Sequence, residues 1–287
     1  MNQFKELLCG SRRLTLFPGK PVIMGILNAT PDSFSDGSVS LERKIKSILS
    51  AEPEIIDLGG ESTRPGAKEI SVEEELDRIL PVLRKIRSVD QNVLISIDTR
   101  KSAVAKAAME EGADIINDVS CLHFDPEMAQ TAAEYSAGLI LNHSRGTPDT
   151  MNDPGFLNYP DGIAETVCRE LEEAVSVALK AGVKRESIIL DPGLGLGFAK
   201  NTGHNLELIR NPELLLALGY PLLSGPSRKR FVGELTGEPM PAERDFGTCG
   251  AVIASYLSGY SIFRVHNVKA TRDCLAVFSA CLKNTGV

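Results

Sequence analysis

The sequence predicts an α/β chain folded as a (β/α)8 TIM barrel, with residues 1–287 as one domain and no second unit. Three observations predict it. Short apolar runs rich in Val and Ile alternate with longer segments whose apolar residues recur every three to four positions. The runs are nearly continuous in apolarity, as expected of parallel strands covered by helices. Eight strand–helix units fit in about 265 residues, a typical length for such a barrel. A doubly wound open sheet is the other arrangement compatible with the pattern, because strand order is not written in a linear alternation.

The units are expected in this order: strand 22–27 with helix 41–50, strand 55–59 with helix 72–89, and strand 93–98 with helix 102–111. Strand 114–118 follows with helix 126–135, then strand 138–142 with helix 162–181, and strand 187–191 with helix 206–218. The last two units are strand 222–224 with helix 242–258 and strand 262–265 with helix 269–282. Gly112, Gly182 and Gly219 follow three of these helices as C-terminal caps. Glu73, Glu74 and Glu75 read as a solvated first helical turn, favoured by the helix dipole.

Composition excludes several function classes. Net charge is −7 and the pI is about 5.3, so a protein-wide footprint for nucleic acid is not expected. There is no Trp, and aromatics are 5%, which disfavours stacking platforms for single strands. No apolar stretch is long enough to span a membrane, and residues 1–20 lack the apolar core of a signal peptide. These features favour the cytoplasm. None of the six cysteines forms a C-x-x-C pair, and Cys274 and Cys281 read as buried thiols. His123 and His204 have no metal-ligand spacing. GLGLG (193–197) lacks dinucleotide-fingerprint spacing, and SRK (227–229) is not a P-loop.

The polar residues carry the functional information. Every strand exit holds a hydrogen-bonding or charged group: Asn28, then Glu61 to Arg64, Asp98, Asn117 with Asp118, Asn142 with His143, Asp191, Ser227 to Lys229, and Arg264 with His266. In a barrel these exits converge on one face, where active sites are built. A single strand-end Asp or Asn is often only a helix cap, but caps do not account for Arg, Lys and His in the same set. Asp98, Asn117 and Asp191 are short acceptors suited to a flat heterocycle bearing N–H donors. Arg64, Arg228, Lys229, Arg264 and His266 are cations suited to phosphate oxygens. Segments 28–37 and 59–66 read as polar loops over that face.

Together these segments resemble the dihydropteroate synthase family of pterin-binding barrels. The carriers are MGILNATPDSFSDG (24–37), DLGGESTRPG (57–66), SIDT (96–99), INDVS (116–120), NHSRGTP (142–148), LDPG (190–193), SRK (227–229) and RVH (264–266), in order over most of the chain. The resemblance implies that a dihydropterin-methyl diphosphate loses pyrophosphate as the amine of 4-aminobenzoate attacks, giving 7,8-dihydropteroate. It implies that Asp98, Asn117, Asp191 and Lys229 hold the pterin, with Asp98, Asp191 and Lys229 in the catalytic role. Asn28, Thr63, Arg264 and His266 would meet the diphosphate, with Asn28 also facing Mg²⁺, the implied cofactor. Phe34, Ser62, Arg64, Pro65, Leu196 and Ser227 would surround 4-aminobenzoate, in the pocket that also takes sulfonamide-type analogues. The implied mechanism is dissociative. The implied partners are these small molecules, with no nucleic acid or membrane, and a second copy in a homodimer through the last helices, where Val277, Phe278 and Leu282 are apolar.

The chain departs from the family pattern at Leu196, where Phe is common, and at Asn142, often Met. It also departs at Ser38, Pro226 and Asn267, and residues 38–53 are short. These changes bear on the 4-aminobenzoate pocket. Two rival readings share the barrel: a methyltetrahydrofolate:corrinoid methyltransferase, which would lack the 28–37 loop and SRK, and a non-catalytic pterin-binding paralogue.

Overall fold

The computed structural model describes residues 6–17, 19–29, 38–61, 69–147, 150–151 and 153–282, without the side chains of 38–40. Its central feature is a ring of eight parallel strands: β3 (Val22–Asn28), β4 (Ile55–Gly59), β5 (Leu94–Asp98), β6 (Ile115–Asp118), β7 (Gly138–Asn142), β8 (Ile188–Asp191), β9 (Leu223–Ser224) and β10 (Ile262–Val265). The hydrogen-bonded order is β8-β7-β6-β5-β4-β3-β10-β9. A parallel bridge between Leu190 and Leu222 joins β8 to the residue before β9 and closes the ring. The expected barrel is therefore present, and the open sheet is excluded.

Strand alternation sorts the side chains. Residues of one parity, such as Ile56, Leu58, Ile95, Ile97, Leu139 and Phe263, face the helices and form the larger core. Residues of the other parity face the barrel interior. Its lower layer is apolar, with Met24, Ile55, Leu94, Ile115, Ile140, Ile189, Leu223 and Ile262. Two positions further along the strands the interior turns polar: Asp57, Ser96, Asn117, Asn142 and Asp191 are all buried. The apolar strands expected from the sequence are thus apolar outward along their length and polar inward at their upper ends.

A hairpin that the sequence pattern did not reveal closes the lower end. β1 (Glu6–Cys9) pairs antiparallel with β2 (Arg12–Thr15), and Leu7, Cys9 and Leu16 complete the lower interior cluster. Gly10 N donates to Ser136 O at 2.9 Å and Arg12 Nη1 to Val93 O at 3.2 Å, lashing the plug to the barrel floor. Each strand is only four residues long and β2 has no fully buried position, so neither presents an apolar run.

Among the described residues ten α-helices surround the strands: α1 (Ser38–Ser50), α2 (Val72–Val89), α3 (Ser102–Glu110), α4 (Met128–Glu134), α5 (Ile163–Lys180), α6 (Thr202–Arg210), α7 (Glu213–Ala217), α8 (Arg230–Thr236), α9 (Asp245–Leu257) and α10 (Val268–Leu282). The single helix expected over 206–218 is two. Pro212 disfavours helical backbone at the residue before it, and Asn211 sits at φ −122°, ψ 63°. α8 follows SRK directly and was not expected. Glu75 is not solvated: it is fully buried and pairs with Lys101 at 2.7 Å. The cysteines also differ from expectation. Cys274 is half-buried and Cys281 exposed, because α10 buries the stripe of Val268, Thr271 and Leu275 instead.

Candidate functional site

At the upper end of the barrel the inward strand residues build a charged layer. Arg264, two residues above Ile262 on β10, reaches across the interior. Its Nε donates to Asp57 Oδ2 at 2.6 Å and its Nη2 to Asp98 Oδ2 at 2.5 Å. Asp57 and Asp98 come from neighbouring strands, β4 and β5, so one planar guanidinium spans both carboxylates. Burial opposes the Arg264 charge, but Asp57 and Asp98 outweigh it and hold the guanidinium above its ordinary range. Burial pushes Asp98 up to about 7; Arg264 pulls it down, and Asp57 adds to the rise.

Beside this triad lies a set of acceptors with spare capacity. Asn117 Nδ2 contacts both Asp57 oxygens at 3.3 and 3.4 Å, leaving Asn117 Oδ1 buried without a hydrogen-bond partner among the described residues. Asn142 Nδ2 donates to Asp191 Oδ2 at 3.2 Å, and Asn142 Oδ1 is likewise unpartnered. Ser96 Oγ is a third such atom. Buried polar atoms are normally paired. A cluster of orphaned acceptors therefore marks a place for a ligand that brings N–H donors.

Asp191 closes β8, opposite Asn142 of β7. Its Oδ1 accepts from Gly193 N at 2.7 Å, and burial raises its pKa while the Lys229 charge lowers it. Gly193 is required: at φ +71° its added Cβ would lie 1.9 Å from His143 O. The turn that follows receives Lys229 from the loop after β9. Lys229 Nζ donates to Leu194 O and lies 4.6 Å from the Phe198 ring centroid. Gly195 makes room for the lysine stem, since a Cβ there would lie 2.8 Å from Lys229 Cδ. Burial lowers Lys229 to about 8, against the pull of Asp191.

The remaining SRK residues diverge. Ser227 Oγ accepts from His266 N at 3.1 Å and meets His266 Nδ1 at 2.9 Å, tying β10's end to the loop after β9. Arg228 does not join the site, contrary to its place among the expected cations. Its φ of +58° turns the side chain outward, where Nε and Nη2 grip Asp245 at 2.7 and 2.9 Å. Asn267 Nδ2 binds the same carboxylate at 2.8 Å, so this position is part of a latch to α9.

Asn28 ends β3, exposed at the barrel mouth. Leu196 opens the turn 196–198 and is half-buried. Phe34, Ser62, Thr63, Arg64 and Pro65 lie outside the described residues. Among the described residues, no three His, Cys, Asp or Glu side chains gather as a metal cage. Mg²⁺ bound through one amide, waters and substrate phosphates needs none, and an exposed Asn28 fits that use. A cleft of about 620 Å³ opens on the same face over the ends of β6 and β7, walled by Phe124, Arg145, Met151 and Phe198.

Two residues escaped the sequence reading. Asp57 sits inside an apolar strand, and its signal is parity: it lies two before Gly59 and shares the inward face. Phe198 is the ring placed against Lys229. Its signal is only that it follows the alternating glycines Gly193, Gly195 and Gly197.

Residues 24–266 match the family model described as pterin binding enzyme. The chain is 44% identical to the dihydropteroate synthase of Synechocystis over 90% of this chain and 89% of that one. It superposes on Xanthomonas albilineans dihydropteroate synthase with 4-aminobenzoic acid at a TM-score of 0.86 and 37% identity, covering 96% of this chain and 98% of the other. A second Xanthomonas albilineans structure, in complex with 7,8-dihydropteroate, gives a TM-score of 0.83 at 34% identity, with coverage of 96% and 98%.

Proposed function

The chain belongs to the pterin-binding enzyme family, on its dihydropteroate synthase branch, which makes it a transferase of folate synthesis, and from that premise we propose its reaction in detail. It condenses 6-hydroxymethyl-7,8-dihydropterin diphosphate with 4-aminobenzoate, releasing pyrophosphate and forming 7,8-dihydropteroate. The observation that carries this reading is the orphaned-acceptor layer of Asn117, Asn142 and Ser96 beside Asp98 and Asp191, buried above an apolar floor.

Each residue then has a task. Asp98, Asn117 and Asp191 accept the ring's N–H donors, and Lys229 lies against the ring beside Asp191. Electron donation from the ring stabilises positive charge developing on the methylene carbon, and the carboxylates favour that charge because they are fixed before the reaction starts. Arg264 and His266 stand at the diphosphate end with Thr63. Arg264 is held by two carboxylates, so it acts there through its fixed charge. Asn28 would hold Mg²⁺, which when bound neutralises charge on the departing pyrophosphate. The aniline nitrogen is already nucleophilic, so no strong general base is needed. Phe34, Ser62, Arg64, Pro65, Leu196 and Ser227 form the 4-aminobenzoate end.

We place this activity in the cytoplasm. Among the described residues no helix is long and apolar enough to cross a membrane. We also assign a homodimer. Phe246 and Leu257 are 93% and 60% exposed on one stripe of α9, and Val277 on neighbouring α10 is 67% exposed, an apolar surface suited to a second copy.

The test is pyrophosphate release from the dihydropterin diphosphate with Mg²⁺, with and without 4-aminobenzoate, and mass detection of dihydropteroate. Product that does not depend on the amine, or no product, sinks the reading. An Asp191→Asn enzyme with unchanged turnover sinks the dissociative mechanism.

A further inference from the structure

Lys200 is wholly buried, and no role above uses it. Burying an ammonium is costly unless its donors are satisfied, and a lysine has three. All three find acceptors: Phe198 O at 3.0 Å, His143 O at 3.3 Å and His143 Nδ1 at 2.8 Å. With Nδ1 accepting, the imidazole carries its proton on Nε2, which donates to Glu170 Oε2 at 2.8 Å. Glu170 in turn pairs with Arg145. Burial drives His143 down to about 3, with Lys200 adding to the fall, so the ring is neutral. Burial pulls Lys200 itself down to about 7, opposed by Asp191.

The ammonium thus joins the end of β7 to a turn beyond the β7–β8 ladder, which His143 N closes by donating to Asp191 O at 2.9 Å. The turn follows β8 and contains Phe198. It is the bed on which Lys229 rests, through Leu194 O, Gly195 and the Phe198 ring. An apolar side chain could fill the volume of Lys200, but it could not tie these two carbonyls.

We propose that Lys200 is a positioning residue: it staples the Phe198 turn to the end of β7 and so fixes Lys229 beside Asp191 in the pterin site. The inference rests on the proposed function, and it acts through Phe198, which makes it separable by a double-mutant cycle.

The experiment compares wild type, Lys200→Met, Phe198→Ala and the double variant. Two quantities are read: the dihydropterin dissociation constant, by pterin fluorescence, and kcat per pterin-binding site, which removes any loss of folded protein. Each single variant should weaken binding and lower kcat per site about tenfold, and the double should be no worse than the more damaged single. A wild-type Phe198→Ala enzyme overturns the proposal, as do losses that multiply to about a hundredfold in the double variant. If Lys200→Met does not fold, Lys200→Gln, which keeps an N–H donor but not all three contacts, takes its place in the cycle. A wild-type chain that binds pterin without forming product removes the reaction assigned above, and the staple is then judged on binding. A wild-type chain that binds no pterin overturns both.

Discussion

Acidification should weaken pterin binding with a break set by Asp98, and Asp57→Asn should move that break downward. Burial holds Asp98 at about 7, with Arg264 opposing and Asp57 reinforcing the rise. Ring N–H donors need the ionised carboxylate, so affinity should fall about tenfold per pH unit once pH drops below that value. Asp57 and Asp98 share one guanidinium, which sets their separation on the order of 5 Å. At an effective dielectric of about 20 their repulsion is about 3 kcal/mol, roughly two pH units. Arg264 also turns wholly to Asp98 when Asp57 is neutralised. Both effects have the same sign, and the break should fall by one to two units, discounted for solvent at the barrel mouth.

The assay is pterin fluorescence titration from pH 5 to 9 on both proteins; with no Trp in the chain the signal is the ligand's. The ligand's own titration cancels in the comparison. Stability supplies a second readout. Asp98 has a folded pKa above its ordinary 3.8, so the stability it contributes is complete below about pH 4 and lost as pH rises through about 7. That loss is at most about 4 kcal/mol in wild type, and it should shrink in Asp57→Asn. A break that stays in place, or moves upward, refutes the shared-guanidinium account.

Two further perturbations separate the layers of the barrel. Asn142→Met removes a buried orphan acceptor, which costs about 1–3 kcal/mol where it is unpaired, and that gain offsets the loss of its hydrogen bond to Asp191. The variant should therefore melt at the same temperature or higher while binding pterin more weakly, read by thermal unfolding and pterin titration. Leu7→Ala opens a cavity in the plug at a cost of about 2–5 kcal/mol, lowering Tm by roughly 5–15 °C for a chain of this size. Pterin affinity should stay within about threefold, since the hairpin lies at the opposite end; a tenfold loss would couple plug and site.

The parts legible in the sequence share a physical cause. The parallel barrel was legible because its outward face is an unbroken apolar code, and the convergence of Asp98, Asn117, Asp191 and Lys229 on one end because polar residues interrupt that code where the strands give out. What was hidden depended on geometry that residue type does not encode. Arg228 and Lys229 are adjacent cations, yet a left-handed backbone at Arg228 sends one to Asp245 and leaves the other in the site. Nothing about an arginine announces positive φ. Glu75 looked like a first-turn helix residue, and only the approach of Lys101 from the next unit makes it a buried ion pair. The break at Pro212 was readable, since the residue before a proline leaves helical backbone.

An overall charge of −7 with an anion-binding site is reconciled by where the charges stand. The upper barrel layer holds three carboxylates, Asp57, Asp98 and Asp191, against Arg264 and Lys229, with Lys200 one turn behind. Close pairing of the two signs is what lets such a layer stay buried. Burial brings Asp98 and Lys200 to about 7 and Lys229 to about 8, each against the pull of its opposite charges. Charges so nearly balanced respond to a ligand that supplies the missing partners. A ring donating to Asp98 and Asp191 favours their ionised forms, which in turn favours the protonated forms of Lys229 and Lys200. The contacts proposed for the pterin would therefore also complete the electrostatics of the site, and the acidic surplus elsewhere on the chain would have no part in it.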